Sequence, residues 1–311
     1  MKDFEDFLVA MDAAVARVAQ EEPEEHRKLR TGKLEARPGG KGSYFTTLDI
    51  AHGMLRDFTM YIVYPSLVLH RQRQDLDASR AMIAEMFPTV LNYLGYSGFG
   101  ELKVLGHTLL RLAPTLNNEQ FDQALTRFLR YTNLLYGWAY HWFPWNIGDA
   151  MRYEEGGEIE LPEVVDSLEP TSTLIKLRWD PIGIEVKAFV VTDGNAELCN
   201  ELMAIMPFKC LQTHAMVAGE SLMAYTPLVS TAPTPFKEEI RLAPPGRIRF
   251  NPRTGQKLIV QYGRTTEDIL APVIGSVLPE DVSKLAKVGA AVWESTYLHK
   301  EPVWLTVERL R

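Results

Sequence analysis

The chain has 311 residues, 46% of them hydrophobic and 23% charged. That composition excludes global disorder and leaves enough apolar matter to bury roughly 75% of the unfolded surface. With 33 Lys and Arg against 40 Asp and Glu the formal charge is −7, so no overall field draws the chain to nucleic acid or to an anionic membrane. Any small anion it binds must be held by a local group of cations.

The start, Met1-Lys2-Asp3-Phe4-Glu5-Asp6, has no basic segment followed by an apolar one, and thus no secretory signal pattern. A helix is expected over residues 4–18, because Phe4, Phe7, Leu8, Met11, Val15 and Val18 keep to one face. Residues 21–43 are mostly charged and end in Gly39-Gly40 and Gly42, which reads as a linker or surface loop. Helices follow over 46–70, 77–96 and 101–112, with Pro88 expected to break or kink the second. The most apolar stretch, 58–69, carries Pro65 and falls well short of the roughly 20 residues of a bilayer span. A soluble, cytoplasmic protein is the expectation.

The strongest helical pattern follows Asn117-Asn118, where Phe121, Ala124, Leu125, Phe128, Leu129, Thr132 and Leu135 share a face. Asn is a good N-cap, and Glu119 suits the positive end of a helix. The first half therefore reads as a bundle of five or six helices. It closes on Tyr136, Trp138, Tyr140, His141, Trp142, Phe143 and Trp145. These aromatic residues fit a core plug or a domain interface, and alternatively a ligand-facing wall with Trp142 in contact with substrate. Residues 152–171, acidic and holding Gly156-Gly157 and two prolines, read as a linker.

Near residue 165 the apolar period falls from 3.6 to 2, which divides the chain into a helical domain, 1–165, and a β domain, 166–311. Strands are expected over 172–179, 184–192, 208–217, 220–225, 246–250, 256–262 and 303–308, with a single helix over 195–206. So many short strands with one helix argue for a closed, mostly antiparallel β-barrel, and the whole chain for an α+β protein. Cys199 and Cys210 have no C-x-x-C spacing and read as buried free thiols. No dinucleotide, P-loop, zinc-protease or nucleophile-elbow motif occurs, and none of the seven histidines has another three or four residues away. No metal and no cofactor are expected.

Strand alternation puts Cys210, Gln212 and His214 on one face of the 208–217 strand. Ala218-Gly219 allows a tight turn, after which Glu220 starts the return strand across from His214. Either these are surface residues or they line one end of the barrel. Arg247 and Arg249 lie opposite Ile248 and Phe250, and Arg264 follows the strand that ends in Tyr262. A solvated basic sheet face would account for these cations, as would a pocket for an anion. Tyr262 falls on the apolar side of its strand, as a core residue or a proton donor.

The succession Leu198-Cys199, Met206-Pro207, Thr213-His214-Ala215, Gly219-Glu220, Pro245-Gly246-Arg247-Ile248 and Ile259-Val260-Gln261-Tyr262-Gly263 resembles the small bacterial cyclophilin-like β-barrel family over about residues 172–311. A barrel of that kind joined to a helical bundle is similar to the cucumopine and mikimopine synthase group. The resemblance implies an enzyme of opine biosynthesis that joins histidine to 2-oxoglutarate by a Pictet–Spengler cyclisation, with small-molecule partners only; the many apolar residues on the helix faces fit a homodimer. It implies Glu220 and His214 as bases with Tyr262 as proton donor, and Lys209, Arg247, Arg249, Arg264 and Gln212 as groups that hold substrate carboxylates. A binding module without turnover, or a hydrolase or lyase of a small cyclic amide, would use the same barrel. Prolyl isomerisation is disfavoured, because the Arg/Phe/His pattern of true cyclophilins is not evident.

Overall fold

The computed structural model describes residues 2–33, 41–145, 163, 164, 166 and 168–310, with no side chain described before residue 47 in the helix that begins at Lys41. It divides into two compact units, Met1–Phe143 with Arg253–Gly255, and Pro144–Pro252 with Gln256–Arg311. The linker expected over 152–171 falls largely outside the described residues, as do residues 34–40 of the expected loop.

The first unit is all helical. Helix α1 (Lys2–Val18) buries Phe4, Phe7, Leu8, Met11 and Val18, the stripe its spacing dictates. The stretch read as a loop contains a short helix, α2 (Glu24–Arg30). Two acids in its first turn and three bases in its last complement the helix dipole, which a tally of charge alone conceals. Helix α3 (Lys41–Asp57) passes through a π-helical stretch, Phe58–Val63, into α4 (Tyr64–Gln72). Pro65 has no N–H to donate there, and the Tyr64 N–H reaches back to the Thr59 carbonyl.

Helix α5 (Leu76–Tyr96) continues through Pro88 rather than breaking. Ile83, Phe87, Leu91 and Leu94 are all buried along it, and that tertiary packing outweighs the lost backbone bond. Helix α6 (Gly100–Leu112) leads to α7 (Asn118–Trp142), where Asn117 and Gln120 form a reciprocal capping box. The aromatic residues at the end of α7 belong to the core of this unit: Tyr136, Trp138, Tyr140 and His141 are buried, and the Trp138 indole donates to the Val18 carbonyl at 2.8 Å. Among the described residues no helix is long and apolar enough to cross a membrane.

The second unit is an antiparallel barrel. Its strands are β1 (Leu174–Trp179), β2 (Ile184–Val190), β3 (Phe208–His214), β4 (Ser221–Tyr225), β5 (Lys237–Glu239), β6 (Arg247–Asn251), β7 (Lys257–Gln261), β8 (Leu270–Val277) and β9 (Val303–Arg309). Eight of them run β2-β1-β9-β3-β4-β7-β6-β8, and pairing of β2 with β8 closes the ring, while β5 adds only to β8. Closure removes the open edges that an antiparallel sheet otherwise exposes.

Alternation then sorts the wall. Ile175, Leu177 and Trp179, Leu222 and Ala224, Ile248 and Phe250, Leu258 and Val260, and Val303, Leu305 and Val307 form one apolar cluster. Helix α8 (Ala196–Ala204) adds Leu198, Cys199 and Leu202 to it. Helices α9 (Pro279–Val282) and α10 (Leu285–Glu294) correct the expectation of a single helix in this half, and Leu285, Val288 and Val292 of α10 join the same core. Cys199 and Cys210 are buried free thiols, and burial pushes the Cys199 thiol up to about 11.

Candidate active site

Strand β3 carries the polar row Cys210, Gln212 and His214 inward, and each member meets a different fate. Cys210 sits in the apolar cluster. The Gln212 carbonyl oxygen accepts the Trp179 indole N–H at 2.9 Å, and its amide donates to the Thr213 carbonyl at 3.1 Å. Gln212 is therefore occupied by the barrel itself and is withdrawn from substrate binding. His214 lies at the strand's end, 5% exposed.

The hydrogen bonds of His214 fix its tautomer. Nδ1 lies 2.7 Å from the Ala215 carbonyl, which can only accept, so Nδ1 carries the proton. Nε2 is then the acceptor, 2.8 Å from the Tyr262 hydroxyl, which donates to it. Burial lowers the pKa of His214 from its ordinary 6.5, opposed by the Ala215 carbonyl and by the charge of Glu220, and so favours the neutral ring. Burial and the same Glu220 charge push the Tyr262 phenol up to about 12. At neutral pH the pair is an uncharged phenol that donates a hydrogen bond to an uncharged imidazole.

Glu220 stands exposed beyond the start of β4, and its field reaches both members of the pair. Its carboxylate folds across Gly263 and accepts the Arg264 backbone N–H at 2.6 Å. A Cβ on Gly263 would lie 2.2 Å from that oxygen, so the glycine admits the carboxylate. Arg264 is itself exposed at this rim.

Tyr262 is seated from behind by α10. A Cβ at Gly289 would come within 2.4 to 2.6 Å of three of its ring carbons. A π-helical turn, Ser295–His299, follows α10 and contacts His214 directly: the Tyr297 hydroxyl donates to the His214 carbonyl at 3.1 Å, and the two rings meet edge to face at 5.7 Å. The Thr296 hydroxyl oxygen accepts the His214 N–H at 3.0 Å. Sequence reasoning missed Gly289, Thr296 and Tyr297. An isolated glycine inside the apolar pattern of 285–294 was the one available signal.

Three of the expected cations are elsewhere. Lys209 is on the outer face of β3, over the Trp304 ring at 5.1 Å and 3.9 Å from Asp180. It is five residues from His214, or roughly 17 Å along a strand. Arg247 and Arg249 are outside the barrel wall, opposite Ile248 and Phe250, yet both are buried. Arg247 pairs with Glu238 at 2.7 Å and Asp166 at 2.8 Å. Arg249 donates to Gln261 Oε1 at 2.8 Å and to the Ile240 carbonyl, and burial lowers it to about 10. They do not form a solvated basic face: both are buried, Arg247 against two carboxylates and Arg249 against an amide and a backbone carbonyl. Trp142 belongs to the helical unit, where the Arg30 guanidinium lies over its ring at 3.5 Å.

A cavity of about 350 Å³ in the helical unit is lined by Glu21, Glu22, Glu24, Glu25 and Glu101 beside Tyr131. Its charge is of the wrong sign for an acidic substrate.

The helical unit is where the chain matches a known family. Residues 4–142 match the model of the cucumopine synthase C-terminal helical bundle domain. That description sets the bundle at the C-terminal side, whereas here it precedes the barrel. A solved structure titled as McbB in complex with tryptophan matches at 33% sequence identity, covering 43% of this chain and 44% of that one, with a TM-score of 0.40. The match thus spans less than half of the McbB chain. No curated protein matches. The helical unit of the chain is therefore similar to the cucumopine synthase bundle domain.

Proposed function

We propose that the protein is a cofactor-independent condensing enzyme of the Pictet–Spengler type, which joins the amine of histidine to the ketone of 2-oxoglutarate. The observation that carries this reading is the match of residues 4–142 to the cucumopine synthase bundle. The uncharged Tyr262–His214 pair beside Glu220 supports it with the acid–base groups the chemistry requires.

The amine attacks the ketone carbon, and the carbinolamine loses its hydroxyl as water to leave an iminium. A ring carbon of the substrate imidazole then attacks the iminium carbon, and that carbon's proton leaves so that the ring regains aromaticity. Amine and oxo acid become product and one water, with no change of oxidation state. In this reading the ring proton passes to the Tyr262 oxygen while the Tyr262 proton moves to His214 Nε2. The Ala215 carbonyl and the Glu220 charge then stabilise the imidazolium formed. Glu220 also offsets the positive charge of the iminium, and Arg264 on the same rim takes a substrate carboxylate.

The test is to incubate the protein with histidine and 2-oxoglutarate and to search by mass spectrometry for their sum less one water. A product formed only with enzyme supports the reading. Binding of either compound without product leaves a small-acid binding module and sinks the enzyme.

A further inference from the structure

Strand β9 begins opposite Gln212, at Val303. Beyond that point the edge of β3 has lost its neighbour, and the backbone of His214 would be left without partners on that side. The turn after α10 takes the place of the missing strand: Thr296 receives the N–H of His214, and Tyr297 donates to its carbonyl. Thr296 is fully buried and Tyr297 is 7% exposed, so neither contact is open to competition from water. The Tyr297 ring also closes one side of the imidazole, while Tyr262 closes another at 5.7 Å. Trp293 meets Tyr297 edge to face in turn, at 5.5 Å. A π turn is a rare local geometry that recurs at functional sites, and this one brings two consecutive residues to the two backbone groups of one histidine.

We propose that the π turn Ser295–His299 is the positioning element of the proton-transfer pair, and that Tyr297 and Thr296 are positioning residues which hold His214 with Nε2 directed at Tyr262. The inference rests on the reading of His214 and Tyr262 as the acid–base pair. Neither residue touches the reacting atoms. Their effect is to keep the imidazole from rotating away from the Tyr262 hydroxyl, and to keep it dry. Among the described residues, the titratable and charged groups that face His214 include Tyr262 from the end of β7, Glu220 from the turn before β4, and Tyr297 from the π turn. Lys300, whose ammonium donates to the Thr296 carbonyl, stands one contact further out.

The experiment uses the full chain and two conservative variants, Tyr297→Phe and Thr296→Val, with Tyr297→Ala as the more severe change. The imidazole of His214 is followed by nitrogen NMR across pH, its signal assigned by its loss in His214→Gln. Wild type is expected to show the Nδ1–H tautomer and a titration midpoint below 6.5. Tyr297→Ala and Thr296→Val are expected to move that midpoint toward 6.5 and to mix the tautomers, with Tyr297→Phe intermediate. Where turnover is measured, kcat falls by about tenfold in Tyr297→Ala with KM unchanged, the split expected when an interaction matters only in the transition state. An unchanged midpoint and tautomer in both Tyr297→Ala and Thr296→Val, with folding intact, overturns the positioning role. If those signals shift while wild type makes no product, the positioning of His214 stands and the condensation reading falls.

Discussion

Two buried polar pairs in the barrel unit differ in what burial does to them. Outside the wall, Arg247 and Arg249 are nearly inaccessible, and carboxylates, an amide and a carbonyl occupy their donors. Inside, at the end of β3, His214 and Tyr262 are bonded to each other and remain uncharged, so that Nε2 can still take up a proton. Burial among carboxylates, an amide and a carbonyl builds structure, whereas burial that withholds charge from a titratable ring prepares chemistry. An arginine that stays charged at all working pH values suits the first role, and a histidine suits the second.

The largest effect is expected inside. His214→Ala and Glu220→Gln should each lower turnover by at least about 10²-fold with the fold intact, the first by removing the proton acceptor and the second by removing the charge that stabilises iminium and imidazolium. Steady-state kinetics with circular dichroism checks this, and wild-type rates in both would erase the distinction between the pairs. Outside, Arg247→Met removes the guanidinium that pairs with the partly buried Glu238 carboxylate and should cost about 2 kcal/mol of stability. Urea denaturation measures the loss, and activity per folded molecule should stay at the wild-type level.

A smaller effect tests the seat of Tyr262. Gly289→Ala puts a methyl group inside the ring's contact distance. The displaced phenol should then lose its bond to His214, with a fall of about tenfold in kcat. A further variant, Gly289→Ser, should do no better, because the obstruction is the Cβ itself.

The smallest effect lies in pH dependence. Because the folded pKa of His214 is lowered, the ring remains neutral until the pH falls below 6.5, so the acid limb of kcat/KM should lie below 6.5. In that window the unfolded chain binds a proton that folded His214 refuses, and stability declines as the pH falls. An acid limb above 6.5 would show that another group is titrating.

The alternation of β3 correctly placed Cys210, Gln212 and His214 on one face, because period 2 alone decides that question. It could not tell that Trp179 occupies Gln212, since the partner is 33 residues away. The same alternation set Arg247 and Arg249 on the face opposite Ile248 and Phe250, without saying which face turns outward. Their burial, beneath Ile240 and beside Gln261, depends on chain that follows β4 and carries no periodic pattern. Strand β5 has only three residues, and β8 contains Pro272 and Gly275 and is buried along nearly its whole length, so neither alternates. The capping box at Asn117 and Gln120 was legible because it is local. Thr296 and Tyr297 were not, because only the point at which β9 begins makes His214 need them.

The most direct measurement uses histidine deuterated at the imidazole carbon that attacks the iminium, incubated with 2-oxoglutarate and the protein. The product should appear at the sum of the two substrates less one water, with the deuterium released to solvent and a solvent proton in its place. His214→Ala should form it at least about 10²-fold more slowly. Absence of product with wild-type protein, or a product that keeps its deuterium, would contradict proton abstraction from the ring carbon by the pair at the barrel's end.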